Sequence, residues 1–173
     1  QQLANNQEIF EKCFKILHKE DTLMIFPEGS HNKKRTVRLL SKGFTRIVSG
    51  ALEKHPELEI QVVPVGITYQ HASSFPSKVV VRYGHPIATR TIFEANAPAK
   101  AINILKAAVT TQLKELSVHI PDDENYDAVL QQLNDAQVDF TQVDQVNKMR
   151  NLPKVQKGKK ELFKTFTIPD STE

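Results

Sequence analysis

The chain has 173 residues, with 23 Lys and Arg against 20 Asp and Glu, one Cys and no Trp. This length suits one domain or part of one, and a single cysteine excludes an internal disulfide framework. No run reaches the ~20 apolar residues of a membrane-spanning helix, no signal-peptide pattern is present, and no Cys/His spacing predicts a metal site. We therefore expect a cytoplasmic protein, and the net charge of +3 is too small to indicate a nucleic-acid partner.

The predicted elements alternate between helix and strand. In chain order they are a helix over 5–19, a buried strand over 22–26, a loop over 27–40, a helix over 42–54, two β-rich segments over 58–69 and 78–83, a helix over 98–117 and a helix over 123–134. His55-Pro56 ends the second helix, because proline disfavours helical geometry in the residue before it. Pro64 marks an edge, a bulge or a break in its β segment. Cys13 lies on the apolar face of the first helix and is expected to be a small core residue.

This order predicts an α/β fold with a central mixed sheet flanked by helices. The candidate functional residues follow the predicted strand. Glu28 lies in the loop at the carboxyl end of this strand, where α/β proteins usually have their active-site residues. No acidic residue occurs between Gly29 and Leu52, but six basic ones do: Lys33, Lys34, Arg35, Arg38, Lys42 and Arg46. Guanidinium groups and helix N-termini hold phosphate. The pattern indicates an anion-binding loop beside a carboxylate, or else a solvated basic turn.

Four motifs, in order, resemble those of the PlsC-like family of glycerophosphate and lysophospholipid acyltransferases. Phe26-Pro27-Glu28-Gly29-Ser30 resembles the family's Phe-Pro-Glu-Gly-(Thr/Ser) motif, and Lys42-Gly43 resembles the Lys-Gly pair that opens its next helix. Val63-Pro64-Val65 resembles its Val-Pro-Val strand motif, and Gly84-His85-Pro86-Ile87 resembles the Gly-x-Pro-Ile that closes its core. The likeness covers about residues 8–90.

The resemblance implies an acyltransferase-like fold and transfer of an acyl group from acyl-CoA or acyl carrier protein to a glycerophosphate or lysophospholipid hydroxyl, as in phospholipid synthesis. The sequence indicates no metal and no tightly bound cofactor, and acyl-CoA would be a substrate. In the family the Glu-Gly motif lies beside the acceptor, and nearby basic groups hold its phosphate. The substrate-binding residues carried over, with the basic side chains that follow, are Phe26, Pro27, Glu28, Gly29, Ser30, His31, Lys33, Lys34, Arg35 and Arg38.

Two features depart from the family. His31 stands where many members have Arg, which shifts the expected phosphate clamp to the basic residues after it. The family's catalytic His-x4-Asp, whose His is the base, is missing, because none of the six histidines has an Asp after four intervening residues. His119 has Glu124 at that spacing, but it follows a helix and is expected to have a capping or surface role. Since the family's His-x4-Asp lies upstream of Phe-Pro-Glu-Gly, we expect this chain to lack the N-terminal part of the domain, to hold no catalytic residue and to be inactive alone.

Residues beyond about 120 match nothing in the family, so we predict an acyltransferase part over 1–120 and a helical extension with a basic tail over 121–173. The tail lysines are either solvated or attract an anionic membrane surface peripherally. A sheet edge without its upstream strands predicts a homodimer or aggregation. The alternative function is a non-catalytic module that binds anions or lipid head groups through Lys33–Arg38 and the tail. Nucleic acid fits poorly, because stacking aromatics are sparse near the basic loop.

Overall fold

A computed structural model describes residues 2–30 and 32–150, so His31 and the predicted basic tail lie outside the described residues. This part of the chain forms six helices and four short strands. Their bounds are α1 (Gln2–His18), α2 (Gly43–Lys54), β1 (Gln61–Val62), β2 (Val65–Tyr69), β3 (Val79–Tyr83), β4 (Ile87–Ala88), α3 (Thr89–Glu94), α4 (Pro98–Leu116), α5 (Tyr126–Asp135) and α6 (Val143–Met149). The α/β character is therefore confirmed.

The strands form two separate antiparallel pairs, where one central mixed sheet was predicted. β1 pairs with β4, and β2 pairs with β3 over five residue pairs from Val65↔Tyr83 to Tyr69↔Val79. Pro64 separates β1 from β2, which confirms the predicted interruption at this proline. Its carbonyl accepts a hydrogen bond of 2.8 Å from the Gly84 amide, so the break is itself held in place.

The prediction of a buried strand over 22–26 is wrong. These residues have no ladder partner in the described part of the chain, and the side chains of Met24 and Phe26 are 85% and 74% exposed. Leu23 packs on the cluster around Phe14, but the run beyond it faces outward. A short apolar run does not by itself specify burial, because a strand also needs a neighbour that accepts its backbone hydrogen bonds.

The helices at 5–19, 42–54, 98–117 and 123–134 are confirmed as α1, α2, α4 and α5, with ends shifted by a few residues. His55 follows the last residue of α2 with a φ of −133° and a ψ of 75°, outside the helical region that is disfavoured before proline. The short elements β4, α3 and α6 were not predicted. They contain two, six and seven residues, which is too short for a clear periodic pattern.

Three hydrophobic clusters form the core. The first joins α1 to α2 through Phe14, Ile47 and Ala51, and the half-buried Cys13 packs against it, close to its predicted role. The second joins α2 to α4 and comprises Leu40, Phe44, Val48, Leu105 and Val109. The third comprises Val118, Ile120, Tyr126, Leu133, Phe140, Val143 and Val146. The predicted domain boundary at residue 120 lies within this third cluster, and the boundary stays a prediction.

One face of the β2–β3 pair packs inward and the other is open. On the inner face, Gly66 lies against the end of α4, and the Thr68 hydroxyl accepts a hydrogen bond from the Val118 amide. The outer face, which we call the apolar sheet face, is formed by exposed side chains of directly paired residues: Val65, Ile67, Tyr69, Val79, Val81 and Tyr83. A contiguous exposed apolar surface of this kind favours association.

The longest helix of the described residues is α4, with 19 residues. Four charged residues lie along it: Lys100, Lys106, Lys114 and Glu115. Within residues 2–30 and 32–150, no helix is both long enough and apolar enough to cross a bilayer.

Candidate functional site

The motif turn, residues 26–30, is a tight turn whose conformation depends on glycine. The Gly29 amide donates a hydrogen bond of 3.4 Å to the Phe26 carbonyl, and Gly29 has a φ of 74°. A Cβ at this position would meet no atom within 4 Å, so the glycine is required for its backbone conformation and not for space. The turn places Glu28 at the surface, with its side chain 33% exposed.

Arg38 closes over the motif turn from ten residues downstream. Its Nη1 donates to the Ser30 hydroxyl over 3.1 Å, and its Nη2 donates to the Glu28 carbonyl over 3.3 Å and also to the Ser30 carbonyl. Its Nε lies 3.5 Å from Oε2 of Glu28. The guanidinium therefore fixes both the backbone of the motif turn and the direction of its carboxylate.

The N-terminus of α2 lies directly beside the motif turn. The Ser41 amide donates a hydrogen bond of 2.7 Å to the Pro27 carbonyl, and α2 begins two residues later at Gly43. Among residues 2–30 and 32–150, no side chain caps this end, and the first turn contains no acidic residue. Lys42 and Arg46 are exposed there. Free amides at the positive end of a helix, together with two cations, provide a favourable place for an anion.

Lys34 points away from the motif turn. Its Nζ lies 2.5 Å from Oδ1 of Asp122 and 4.8 Å from the centre of the Tyr126 ring. The hydrogen bond to Asp122 raises the pKa of Lys34, although desolvation acts in the opposite direction. Lys34 is thus paired with Asp122, just before α5, and the carboxylate partly balances its charge.

The guanidinium of Arg35 also binds groups of the protein and does not face the motif turn. Its two terminal nitrogens donate hydrogen bonds of 2.8 Å to the carbonyls of Tyr69 and Gln70, at the end of β2. The guanidinium stacks on the Phe140 ring at 3.7 Å, and burial lowers the pKa of Arg35. Because its donors are used on β2, Arg35 anchors the loop to the fold in this structure.

The ten residues predicted for substrate binding therefore divide into two groups. The structure brings together Phe26, Pro27, Glu28, Gly29, Ser30 and Arg38, while Lys34 and Arg35 point to the opposite side of the loop. Lys33 is exposed, and His31 lies outside the described residues. The assignment of these residues to substrate stays a prediction. Lys42 and Arg46 belong beside the first group but were not among the predicted site residues, although the basic run in the sequence extends to them.

His119 was expected to have a capping or surface role, and this expectation is wrong. The residue is only 8% exposed, and its Nδ1 accepts a hydrogen bond of 3.0 Å from the Val37 amide. Burial, with smaller contributions from Lys114 and Arg150, lowers the pKa of His119 to about 4. It is a neutral imidazole that holds the loop, and its burial excludes it from the surface around the motif turn.

The loop is bound next to His119 by two further hydrogen bonds. The Ile120 amide donates to the Arg35 carbonyl, and the Thr36 hydroxyl donates to the Ile120 carbonyl, each over 2.7 Å. The basic loop is thus fixed on one side by residues 119–120 and on the other by the contacts of Arg38 with the motif turn. Such fixation from two sides suits a loop that must present groups in one geometry.

Comparison with known proteins points to acyltransferases. The chain is 28% identical to glycerol-3-phosphate O-acyltransferase 2 of Saccharomyces cerevisiae over 129 residues, which are 73% of this chain and 17% of that protein. It is 32% identical to glycerol-3-phosphate O-acyltransferase 1 of the same yeast over 79 residues, or 46% of this chain and 10% of that protein. An uncharacterized acyltransferase of Schizosaccharomyces pombe is 25% identical over 120 residues, or 67% of this chain and 18% of that protein.

The chain therefore spans less than a fifth of the length of the curated relatives it matches. No protein-family model matches it, and no solved structure matches it. The similarity to three acyltransferases supports an acyltransferase family for this chain.

Proposed function

We propose that this chain forms the acceptor-binding part of an acyltransferase that moves a fatty acyl group from acyl-CoA or acyl carrier protein to the hydroxyl of a glycerophosphate, or of a lysophospholipid. The observation that carries the proposal is the position of Glu28, held by Arg38 beside the uncapped, basic N-terminus of α2. A carboxylate next to an anion-binding surface suits a small acceptor that has both a hydroxyl and a phosphate. The names of the two yeast relatives support this acceptor class.

Each part of the surface has a distinct role in this proposal. The free amides of α2, with Lys42, Arg46 and the exposed Lys33, hold the acceptor phosphate. The Glu28 carboxylate accepts a hydrogen bond from an acceptor hydroxyl and orients it for attack on the thioester. Arg38 is a positioning residue, since it acts by fixing Glu28 and the turn.

The proton acceptor for that hydroxyl lies elsewhere in the parent protein, in a His-x4-Asp motif. None of the described histidines is followed by Asp at that spacing, and the buried His119 is already bonded to the loop. In this proposal the chain taken alone is inactive. The whole enzyme is cytoplasmic and associates peripherally with the membrane that receives its lipid products.

The test is an assay of acyl transfer from a long-chain acyl-CoA to glycerol 3-phosphate and to lysophosphatidate. This chain is compared with a version extended upstream in its own gene. We expect activity only in the extended form, and a loss of about 100-fold or more in kcat/KM on Glu28→Gln, since orientation of a reacting group is worth several kcal/mol. Glu53→Gln, at an exposed site on α2, is the matched control and should leave activity unchanged.

Phosphate binding is tested separately from orientation. Lys42→Gln is expected to raise the KM for glycerol 3-phosphate more than it lowers kcat, because it removes a contact present in both ground and transition states. Absence of acyl transfer in both forms, with every acceptor tried, would contradict the acyltransferase proposal.

The second candidate is a non-catalytic module for anions or lipid head groups, favoured by the exposed cations at positions 33, 42 and 46. The two candidate functions predict different effects of Glu28→Gln. In a simple anion binder, Glu28→Gln removes a repelling carboxylate and frees Arg38, so phosphate should bind more tightly. Tighter binding together with no acyl transfer would select this second candidate.

A further inference from the structure

Three side chains with metal-ligating atoms meet where α1 and α2 end. His18 is the last residue of α1, His55 directly follows α2, and Glu57 is two residues further on. The two imidazole rings stack, with centroids 4.0 Å apart and planes inclined by 20°. Their Nδ1 atoms lie 3.7 Å and 3.5 Å from the same carboxylate oxygen, Oε1 of Glu57.

These separations are wrong for hydrogen bonds but close to those within a metal site. An N–H···O hydrogen bond spans about 2.7–3.2 Å, so both contacts are too long. In a tetrahedral zinc site with bonds of about 2.0–2.1 Å, neighbouring ligand atoms are about 3.3–3.4 Å apart. Zinc binding would shorten both N–O separations by a few tenths of an ångström and turn the two rings out of their stack, so that each Nδ1 lone pair points at the ion.

We propose that His18, His55 and Glu57 bind a divalent transition-metal ion, with zinc as the best match. Two imidazole nitrogens and one carboxylate oxygen suit zinc and its neighbours, whereas calcium and magnesium prefer oxygen ligands alone. The ligand atoms of the three residues all lie within 4.8 Å of one another. The His18 and Glu57 side chains are 52% and 62% exposed, which leaves access for the ion and for a water molecule at a fourth position.

An exposed ion pair is the competing explanation for this cluster. An ion pair between an exposed histidine and Glu57 would contribute little to stability, since ion pairs at the surface are weak. Two protonated rings stacked at 4.0 Å would also repel each other. A metal ion binds neutral imidazoles, and it would sit beside the carboxylate oxygen that both Nδ1 atoms already face.

The site joins the two N-terminal helices at one end. α1 already packs on α2, where the Phe14 ring covers Gly50 so closely that a Cβ there would lie 2.5 Å from it. A metal ion between His18 and the segment after α2 would link the two helix ends. Its role would be structural, and we assign it no part in acyl transfer.

The test uses the protein purified without a polyhistidine tag and treated with a chelator. Calorimetric titration with zinc should show one ion per chain, with a dissociation constant of about 10 μM or lower. Cobalt should give the intense visible absorption of a tetrahedral site. His18→Gln, His55→Gln and Glu57→Gln should each weaken binding at least tenfold. His71→Gln, at an exposed histidine elsewhere, is the matched control and should leave binding unchanged.

Circular dichroism of each variant establishes that loss of binding is not loss of folding. Zinc should also raise the melting temperature of the unsubstituted protein by a few degrees, and should not raise that of His55→Gln. A dissociation constant above about 10 μM in the folded protein would overturn the proposal. Binding that persists unchanged in all three variants would overturn it as well. Neither result depends on enzymatic activity, so this inference and the proposed function can fail independently.

Discussion

The Nε atom of Arg38 lies 3.5 Å from Oε2 of Glu28, and the same guanidinium donates to the hydroxyl of Ser30. The contact with Glu28 is electrostatic, because this buried Nε makes no hydrogen bond to any of the described residues. The geometry of the motif carboxylate therefore depends on a residue outside the motif. Because Arg38 is occupied by the motif turn, the proposed function assigns the acceptor phosphate to the cations beside α2.

The motif turn should loosen when Arg38 is shortened. Arg38→Gln removes the bonds to the Glu28 and Ser30 carbonyls, so amide exchange of residues 28–30 should rise by about tenfold, the effect of losing roughly 1.4 kcal/mol of local stability. Hydrogen exchange followed by mass spectrometry measures it. Arg46→Gln makes the same change at an exposed site on α2 and should leave these amides unaffected. Equal exchange in the two variants would contradict the positioning role.

Gly66 is expected to tolerate no side chain. An added Cβ would lie 2.5 Å from the Leu116 carbonyl oxygen and 2.6 Å from its carbonyl carbon, and backbone atoms at the end of α4 cannot easily move. Gly66→Ala should therefore destabilise the fold by about 2 kcal/mol or more, measured by urea unfolding. Gly43→Ala is the control, because there the nearest atom is a serine hydroxyl at 3.6 Å. A fully stable Gly66→Ala would mean that β2 does not pack on α4 as described.

His119 should make the fold less stable in acid. Its pKa is lowered to about 4 in the folded state, against an ordinary value of 6.5. Between these pH values the unfolded chain binds a proton that the folded chain does not, so stability falls as the pH falls from about 6.5 to 4, by roughly 2–3 kcal/mol. His119→Asn keeps an acceptor for the Val37 amide and should remove this dependence, whereas the exposed His71→Gln should retain it. Urea midpoints across this range provide the measurement, and identical slopes for both variants would disprove the assignment.

The apolar sheet face should cause the chain to associate. At protein concentrations on the order of tens of micromolar, light scattering is expected to show species larger than a monomer, because a contiguous exposed apolar surface promotes association. Val81→Thr, in the centre of this face and 47% exposed, should reduce the association. Val63→Thr makes the same substitution at 44% exposure outside the β2–β3 pair, and it should have no such effect. A monomer at these concentrations would contradict the prediction.

Local signals in the sequence were enough to predict the four longest helices, the end of α2 at His55 and the interruption at Pro64. Periodicity and proline act over a few residues, so a single sequence displays them directly. The burial of residues 22–26 could not be predicted in this way, since it depends on which segment lies alongside. The apolar run at Met24 and Phe26 looks the same whether or not it is covered.

The sequence was enough to predict which segment contains the candidate site, but not how its side chains are arranged in space. The motif and its basic run mark the loop, yet the sequence does not show that Arg35 turns to β2 while Arg38 turns to Glu28. Those choices depend on partners distant in sequence, such as Tyr69 and Phe140. The burial of His119 and the meeting of His18 with His55 are likewise long-range contacts, which no spacing rule reveals.

The anchoring of Arg35 has a consequence for natural variation among related chains. The Tyr126 hydroxyl accepts the Arg35 amide over 2.7 Å, and Phe140 supports the guanidinium, although both belong to the part of the chain that resembles no family motif. Arg38 follows Arg35 by three positions, so a change at Tyr126 or Phe140 that moves Arg35 is expected to displace Arg38 and, with it, the motif turn. In the proposed function, two homologues with identical motifs can therefore differ in acceptor preference through changes at these two C-terminal positions alone.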